Sequence, residues 1–146
     1  MKATRRGRVA IADDDVELLR LLAAALTNDG YDVEQLSNGY ELLGRVSRPS
    51  PPGQILDLVI SDIRMPYMTG LEVLAMLRHL GGERWTTPII LITAFGDEET
   101  HAVAQQLGAV VYDKPFDLDV LRAQVLKLVS PVQPAGWRRD GGRDGQ

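Results

Sequence analysis

The sequence predicts an α/β fold in which helices cover both faces of a doubly wound parallel sheet. Short apolar runs alternate with amphipathic stretches about five times along the 146 residues, and several runs are apolar at every position. A strand that is apolar on both faces is typical of the buried centre of a parallel sheet. A βα alternation implies right-handed crossovers, which place helices on both sides of such a sheet.

Five strands are predicted, one for each apolar run. They lie near residues 8–12, 31–36, 56–61, 88–93 and 109–112. Acidic residues follow the first strand and the third, and these two strands have to be neighbours if their acids share a site at a topological switch point. The predicted strand order is therefore 2-1-3-4-5, with two helices on one face and three on the other. This architecture is a flavodoxin-like (βα)5 three-layer sandwich.

The first three helices are predicted from apolar spacing and from residues typical of helix ends. The first follows helical spacing from Val16 and stops at Gly30, a residue type that suits the position just after a helix. The second begins near Asn38. The third starts with a capping box, in which Thr69 is followed three positions later by Glu72.

The last two helices open with acidic residues, which suit the positive end of a helix dipole. The fourth is predicted from Asp97 to Gly108 and the fifth from Asp117 to about Val129. Together with the earlier elements they complete five βα units.

Two segments fall outside this alternation. The loop of residues 47–53 is rich in proline and is expected to be stiff and exposed. Residues 131–146 carry many glycines and polar residues with little apolar content, and we expect a disordered polar tail there. Residues 7–130 are predicted to form a single domain, as the chain length allows.

Composition excludes several classes of function. A net charge of −4 argues against direct nucleic-acid binding, which requires a basic face. Without cysteine there are no disulfides or thiolate metal sites, and two histidines in different segments are too few for a zinc site. The basic N-terminus precedes too short an apolar run for a signal peptide, and no stretch approaches membrane-spanning length. We therefore expect a cytoplasmic protein with no direct nucleic-acid or membrane partner.

Polar and charged residues stand where four of the predicted strands end. They are Asp13 and Asp14 after the first strand, Asp62 after the third, Thr93 at the end of the fourth and Lys114 after the fifth. Because the carboxyl ends of parallel strands meet at one edge of a sheet, these side chains are expected to converge. Each has an ordinary interpretation by itself, such as a helix cap or a surface lysine. Chance is a poor explanation for the whole set in this order.

These groups are the parts that phosphoryl transfer requires. Three close carboxylates repel one another unless a cation lies among them. Hard oxygen ligands suit Mg²⁺, which keeps several waters and binds through one or two carboxylates plus a phosphate. Lys114 supplies a positive charge and Thr93 a hydrogen-bond donor around an incoming phosphoryl group. A carboxylate can itself be the nucleophile and form an aspartyl-phosphate.

Four motifs within residues 7–130 resemble the receiver domain of two-component response regulators. They are Val-Ala-Ile-Ala-Asp-Asp-Asp, Asp-Ile-Arg-Met-Pro-Tyr-Met-Thr-Gly, Thr-Ala and Lys-Pro-Phe. The resemblance implies that Asp62 is the phosphoryl acceptor, Thr93 the switch hydroxyl and Lys114 the partner of the phosphoryl group. It also implies a site for Mg²⁺, in which Mn²⁺ substitutes. The implied metal ligands are Asp13, Asp14, Asp62 and the backbone carbonyl of Arg64.

A protein of this type is expected to be a signalling module and not an enzyme. The predicted function is that of a single-domain response regulator, which accepts a phosphoryl group on Asp62 from a sensor histidine kinase or a histidine phosphotransfer protein. It then signals to a downstream effector, which the sequence does not name, by a conformational switch. We expect a monomer or a weak dimer, formed through the surface of the fourth helix, the fifth strand and the fifth helix.

The chain departs from the family pattern near the fifth strand. The segment from Gly108 to Lys114 is one residue shorter than usual, so Val111 stands where the family often has a switch tyrosine or phenylalanine. Either the neighbouring Tyr112 takes that part after a local shift, or the chain has no aromatic switch. The bond between Lys114 and Pro115 is often cis in the family, as is feasible only before proline.

Two residues bear on the lifetime of an aspartyl-phosphate. By the resemblance, an attacking water has to pass Arg64 and Phe95. Phe95 has no group that orients water, and its ring can shield the site. Arg64 across the phosphoryl oxygens stabilises the ground state as readily as the transition state. We expect slow self-dephosphorylation; the alternative is that Phe95 packs within its loop and Arg64 points to solvent.

Three other functions fit parts of the pattern. A haloacid-dehalogenase-like phosphatase also uses an aspartate nucleophile and Mg²⁺, but it needs a second aspartate where this chain has Arg64. A flavodoxin-like cofactor binder needs a phosphate loop rich in glycine and hydroxyl groups after the first strand, where this chain has three aspartates. A pseudo-receiver, which binds partners without phosphorylation, is disfavoured by the complete set of site residues.

Overall fold

Five strands and five helices alternate along the described part of the chain, which a computed structural model gives for residues 6–80, 86–94 and 96–129. The strands are β1 (Arg8–Ala12), β2 (Asp32–Leu36), β3 (Leu58–Asp62), β4 (Ile89–Thr93) and β5 (Val110–Asp113). The helices are α1 (Val16–Asn28), α2 (Gly39–Val46), α3 (Gly70–Leu80), α4 (Glu98–Gln106) and α5 (Leu118–Leu128). All strand pairs are parallel, and the sheet order is β2-β1-β3-β4-β5. The predicted fold and strand order are confirmed.

The two faces of the sheet form separate apolar layers, because successive residues of a strand point to opposite sides. In β1, Val9 and Ile11 pack with α1 and α5, whereas Ala10 and Ala12 pack with α2, α3 and α4. β3 and β4 are buried at every position. The prediction of two helices on one face and three on the other is confirmed. The central strands are therefore a rigid base for the polar residues at their carboxyl ends.

Each helix begins directly after a residue whose side chain is able to cap a helix N-terminus. Asp15 caps α1, and its Oδ1 accepts hydrogen bonds from the N–H groups of Glu17 and Leu18 at 3.1 and 3.2 Å. Thr69 and Glu72 form the predicted capping box, with bonds of 2.9 and 3.0 Å. The remaining N-cap residues are Asn38, Asp97 and Asp117. Side-chain oxygens at these positions satisfy backbone donors that have no partner within the helix.

The proline-rich loop is fastened to the rest of the fold by one arginine. Arg45, in the last turn of α2, donates to Ser50 Oγ at 2.9 Å and to the Gln54 carbonyl. Its guanidinium also pairs with Glu34 of β2 at 2.7 Å, and Glu34 in turn receives a bond from Arg8 at 3.1 Å. Residues 47–49 and 51–55 are exposed, as predicted for this loop.

Two of the sequence predictions are not tested by this fold. The tail of residues 131–146 lies outside the described residues, so the domain bounds of 7–130 and the expected disorder stay predictions. Among the described helices, none combines the length and the apolar character needed to cross a membrane.

Candidate functional site

The register of the sheet brings the polar strand-end residues to one edge. β1 and β3 are neighbours, and Ala12 of β1 is paired with Ser61 of β3. Asp13 and Asp62 directly follow these two residues and therefore lie side by side. Thr93 is the last residue of β4, and Lys114 directly follows β5. All four lie at the carboxyl ends of adjacent parallel strands, where open α/β sheets bind their ligands.

Three carboxylates meet at this edge. One oxygen from each of Asp13, Asp14 and Asp62 lies within 4.8 Å of the others. Asp13 and Asp62 are only 1% and 6% exposed, whereas Asp14 is open to solvent. Asp13 Oδ1 accepts a hydrogen bond from the Asp15 N–H at 2.9 Å, but the buried Oδ2 has no hydrogen-bond partner among the described residues. A buried carboxylate oxygen without a donor, beside two more carboxylates, fits a hard divalent cation.

Lys114 places a positive charge against these carboxylates. Its Nζ lies 2.8 Å from Asp62 Oδ2 and 3.9 Å from Asp13 Oδ2. The Lys114 N–H donates to the Thr93 carbonyl at 2.7 Å, which joins the ends of β4 and β5. The bond between Lys114 and Pro115 is cis, as the resemblance implied. The backbone hydrogen bond to Thr93 fixes the start of the Lys114 side chain beside the carboxylates.

The pKa values of Asp13 and Lys114 are both raised, for different reasons. Burial raises the pKa of Asp13 to about 6, and the charge of Asp62 adds to this, while the Asp15 N–H and Lys114 oppose it. Burial works against the charge of Lys114, but its hydrogen bond to Asp62 and its attraction to Asp62 and Asp13 raise its pKa overall. The ionised form of Asp13 is therefore destabilised at this site, whereas the charged form of Lys114 is stabilised.

Asp62 is oriented by the loop that follows it. Its Oδ1 accepts a hydrogen bond from the Arg64 N–H at 3.1 Å, while Oδ2 faces Lys114. Gly70 packs against the Asp62 carbonyl, where a Cβ would come within 2.5 Å of the oxygen. Thr93 is buried, 1% exposed, at the end of the neighbouring strand. One oxygen of the Asp62 carboxylate thus accepts a hydrogen bond from a backbone N–H, and the other contacts an ammonium group.

Comparison with known proteins identifies this arrangement. The sequence profile of the response regulator receiver domain matches residues 9–126. The chain belongs to this family. Receiver domains act as phosphoryl-accepting signalling modules of two-component systems and bind Mg²⁺ at an aspartate cluster, and Asp13, Asp14 and Asp62 form such a cluster here.

Individual relatives fall into two kinds. The chain is 35% identical to the DNA-binding transcriptional regulator NtrC of Salmonella typhimurium over 130 residues, which cover 88% of this chain but 26% of NtrC. It is 31% identical to the sporulation initiation phosphotransferase F of Bacillus subtilis over 123 residues, covering 84% of this chain and 93% of that protein. It also resembles the response regulator TrrA of Thermotoga maritima, solved in complex with Mg²⁺ and BeF. In that comparison the TM-score is 0.69 and the identity 30%, over 84% of this chain and 99% of the other.

The receiver domain turns its two candidate switch residues to opposite faces of the sheet. Tyr112 packs with the layer of α1 and α5, whereas Val111 packs with the layer of α2, α3 and α4. To bring Tyr112 to the α4 side, β5 would have to slip by one residue, which would also turn Val110 away from the layer of α1 and α5 and reverse every other side chain of the strand. Of the two alternatives, the structure favours a receiver without an aromatic switch. Phe95 lies outside the described residues, so its shielding role stays a prediction.

Sequence reasoning missed a polar contact behind this site. Nε2 of His101 in α4 lies 3.0 Å from Oδ1 of Asp113 at the end of β5. No motif or spacing in the sequence links the two, and the histidines were considered only as zinc ligands. A second missed feature is the exposed stack of Tyr40 on Tyr67, with ring centroids 5.4 Å apart.

Magnesium binding should weaken as the pH falls through the pKa of Asp13. That carboxyl must be ionised to attract the cation, and its pKa of about 6 lets protons compete in mildly acidic solution. Going from a pH of about 7.5 to about 5.5 should lower the affinity about fourfold, as titration calorimetry can measure. Asp13→Asn keeps an oxygen for the Asp15 N–H and should flatten this dependence. An equally steep pH dependence in Asp13→Asn would assign the titration to another group.

Proposed function

We propose that this receiver domain accepts a phosphoryl group on Asp62 from the phosphohistidine of a sensor histidine kinase or a histidine phosphotransfer protein. The observation that carries the proposal is the environment of Asp62, whose nearly buried carboxylate lies 2.8 Å from the Lys114 ammonium and beside two further aspartates. In the transfer, an Asp62 oxygen attacks phosphorus, the phosphorus–nitrogen bond breaks, and the imidazole leaves with the electron pair. The product is an aspartyl-phosphate.

The neighbouring residues lower the barrier by their charge and position. The phosphoryl group brings negative charge into a site that already contains three carboxylates, so cations have to surround it. Lys114 supplies one of them and is held 2.8 Å from the acceptor. Mg²⁺, or Mn²⁺ in its place, would supply the other; Asp14, Asp62 and the Arg64 carbonyl would hold it directly, and Asp13 would act through water. The orphaned Oδ2 of Asp13 supports this assignment.

The same site supports a switch that passes through α4. Thr93, buried at the end of β4, donates its hydroxyl to the new phosphoryl oxygens and draws the following loop with it. α4 is able to follow, because Ala104 is the one buried residue among its nine described residues. By comparison, α1 buries four residues, Leu19, Leu22, Ala23 and Leu26. The surface of α4, β5 and α5 is then the readout, for an effector or for a second copy in a weak dimer.

The phosphoryl acceptor is tested by labelling with acetyl phosphate. Asp62→Asn should abolish the label, and Asp14→Ala should remove its dependence on Mg²⁺, as intact-mass spectrometry can follow. The matched control is Asp15→Asn in the same acidic run, since asparagine caps α1 equally well and lies outside the proposed ligand set. Undiminished labelling of Asp62→Asn would show that another residue accepts the phosphoryl group.

The switch is tested by amide exchange with and without beryllofluoride and Mg²⁺. Exchange should change across residues 95–125, which take in α4, β5 and most of α5, and should stay constant in the central strands. The Asp62→Asn protein should show no change, because the reagent has no acceptor there. Identical profiles of the wild-type protein in both conditions would rule out this switch.

The lifetime of the aspartyl-phosphate is expected to be long. If the ring of Phe95 shields the phosphoryl group from water, Phe95→Ala or Phe95→Asp should shorten the half-life severalfold in a phosphate-release assay. Tyr40→Ala, which removes an exposed aromatic ring from α2, is the control and should leave it unchanged. A wild-type half-life of seconds that neither Phe95 variant alters would count against shielding.

A further inference from the structure

A polar contact ties the first half of α4 to the end of β5. The Nε2 of His101 and the Oδ1 of Asp113 are 3.0 Å apart. An ionised carboxylate accepts hydrogen bonds and has none to donate, so the ring nitrogen carries the proton and donates it. His101 is partly buried, with 29% of its side chain exposed, and Asp113 is 55% exposed. We call this pair the clasp.

The clasp is anchored directly beside the switch hydroxyl. Asp113 is the register partner of Thr93 in the pairing of β5 with β4. One residue further on, the Lys114 N–H donates to the Thr93 carbonyl at 2.7 Å. The backbone of Asp113 is thus fixed to the end of β4, and its side chain reaches from there to α4.

Gly96, which lies two positions before α4, packs against the clasp. A Cβ placed on Gly96 would lie 2.7 Å from His101 Nε2 and 2.8 Å from Thr93 Cγ2, and would collide with Asp113 Oδ1 as well. Backbone at Gly96 therefore touches both partners of the clasp and the switch residue at once. A displacement of the backbone at Gly96 would therefore disturb the contact between His101 and Asp113.

α4 is held at its C-terminal end by its cap residue Leu107, which packs against the core and whose carbonyl accepts a hydrogen bond from Arg78 at 2.8 Å, but few apolar contacts hold its first half. Ala104 is its one buried residue, and Val103 is 37% exposed. Val111, the residue of β5 on the α4 side, offers a small side chain where an aromatic ring is usual. Asp97, the N-cap of α4, accepts a hydrogen bond from the Thr100 N–H at 2.8 Å, and this bond lowers its pKa. Polar contacts at its N-terminal end thus replace a large apolar anchor.

We propose that the clasp of His101 and Asp113 holds α4 and the Thr93 loop in the conformation in which Lys114 contacts the free Asp62 carboxylate, and so sets how readily the receiver switches. A hydrogen bond of 3.0 Å is lost once its partners separate by more than about half an ångström. The clasp therefore stabilises one conformation and not the other, as a switch requires. His101 and Asp113 are positioning residues in this account. The inference rests on the proposed function of Asp62.

The test is the affinity for beryllofluoride in the presence of Mg²⁺, measured by calorimetry on the full chain. His101→Ala and Asp113→Ala should each tighten binding about fivefold, the equivalent of one ordinary hydrogen bond removed from the unswitched conformation. The double variant should bind no more tightly than either single variant, because each change removes the same contact. His101→Gln keeps an N–H donor and should behave more like the wild type. His79→Ala, which removes an exposed histidine from α3, is the matched control.

The outcomes separate the clasp from the function on which it rests. A contact that is merely structural would change the melting temperature of these variants and leave the beryllofluoride affinity as it is. Equal or weaker binding by both alanine variants, with a wild-type protein that binds and is labelled on Asp62, would overturn the clasp alone. A wild-type protein that neither binds beryllofluoride nor is labelled would overturn the proposed function together with the clasp. Alanine is favourable within a helix, so His101→Ala is expected to fold even where Asp113→Ala does not.

Discussion

The close approach of the Asp13 and Asp62 carboxylates is the constraint on which the rest of the site depends. Both groups are nearly buried, and negative charges are unfavourable in such surroundings unless cations balance them. The raised pKa of Asp13 expresses this cost. It also explains why Lys114 has to be held on a fixed backbone, since a mobile lysine would leave the carboxylates uncompensated. The three carboxylates outweigh the single ammonium group of Lys114, so a divalent cation is needed to balance the charge of the site.

A tightly packed sheet positions the residues of this site, and a more loosely held helix lies beside it. β3 and β4 are buried at every position, and fully burying a large aliphatic side chain contributes about 1.5–3 kcal/mol. Those strands end in Asp62 and Thr93, which are therefore held on a tightly packed base. α4 has one buried alanine and a polar tie, so a rearrangement of modest energy is able to displace it. Thr93 thus lies between the tightly packed strands, which position the site, and the sparsely buried α4, which is easier to displace.

Sequence reasoning recovered what depends on local pattern and on parallel topology. Apolar runs located the strands within two residues, and cap residues such as Asp15 and Thr69 located the helix starts. The convergence of Asp62 with Lys114 followed because parallel strands end at one edge. The contact of His101 with Asp113 did not follow, because it depends on how a helix settles over a strand. The face occupied by Tyr112 was also left open, since it depends on the register of a short strand.

The two edges of the sheet differ in what they offer to another chain. Along β2 the side chains include Asp32 and Glu34, and Glu34 is held by arginines from β1 and α2, with the proline-rich loop fastened behind it. Charged and well-anchored edges of this kind resist the addition of a foreign strand. β5, at the other edge, presents the partly buried Val110, Val111 and Tyr112. Intermolecular strand pairing, and with it the risk of aggregation when α4 or α5 loosens, would therefore fall on the β5 edge, which is also the surface that we propose for readout.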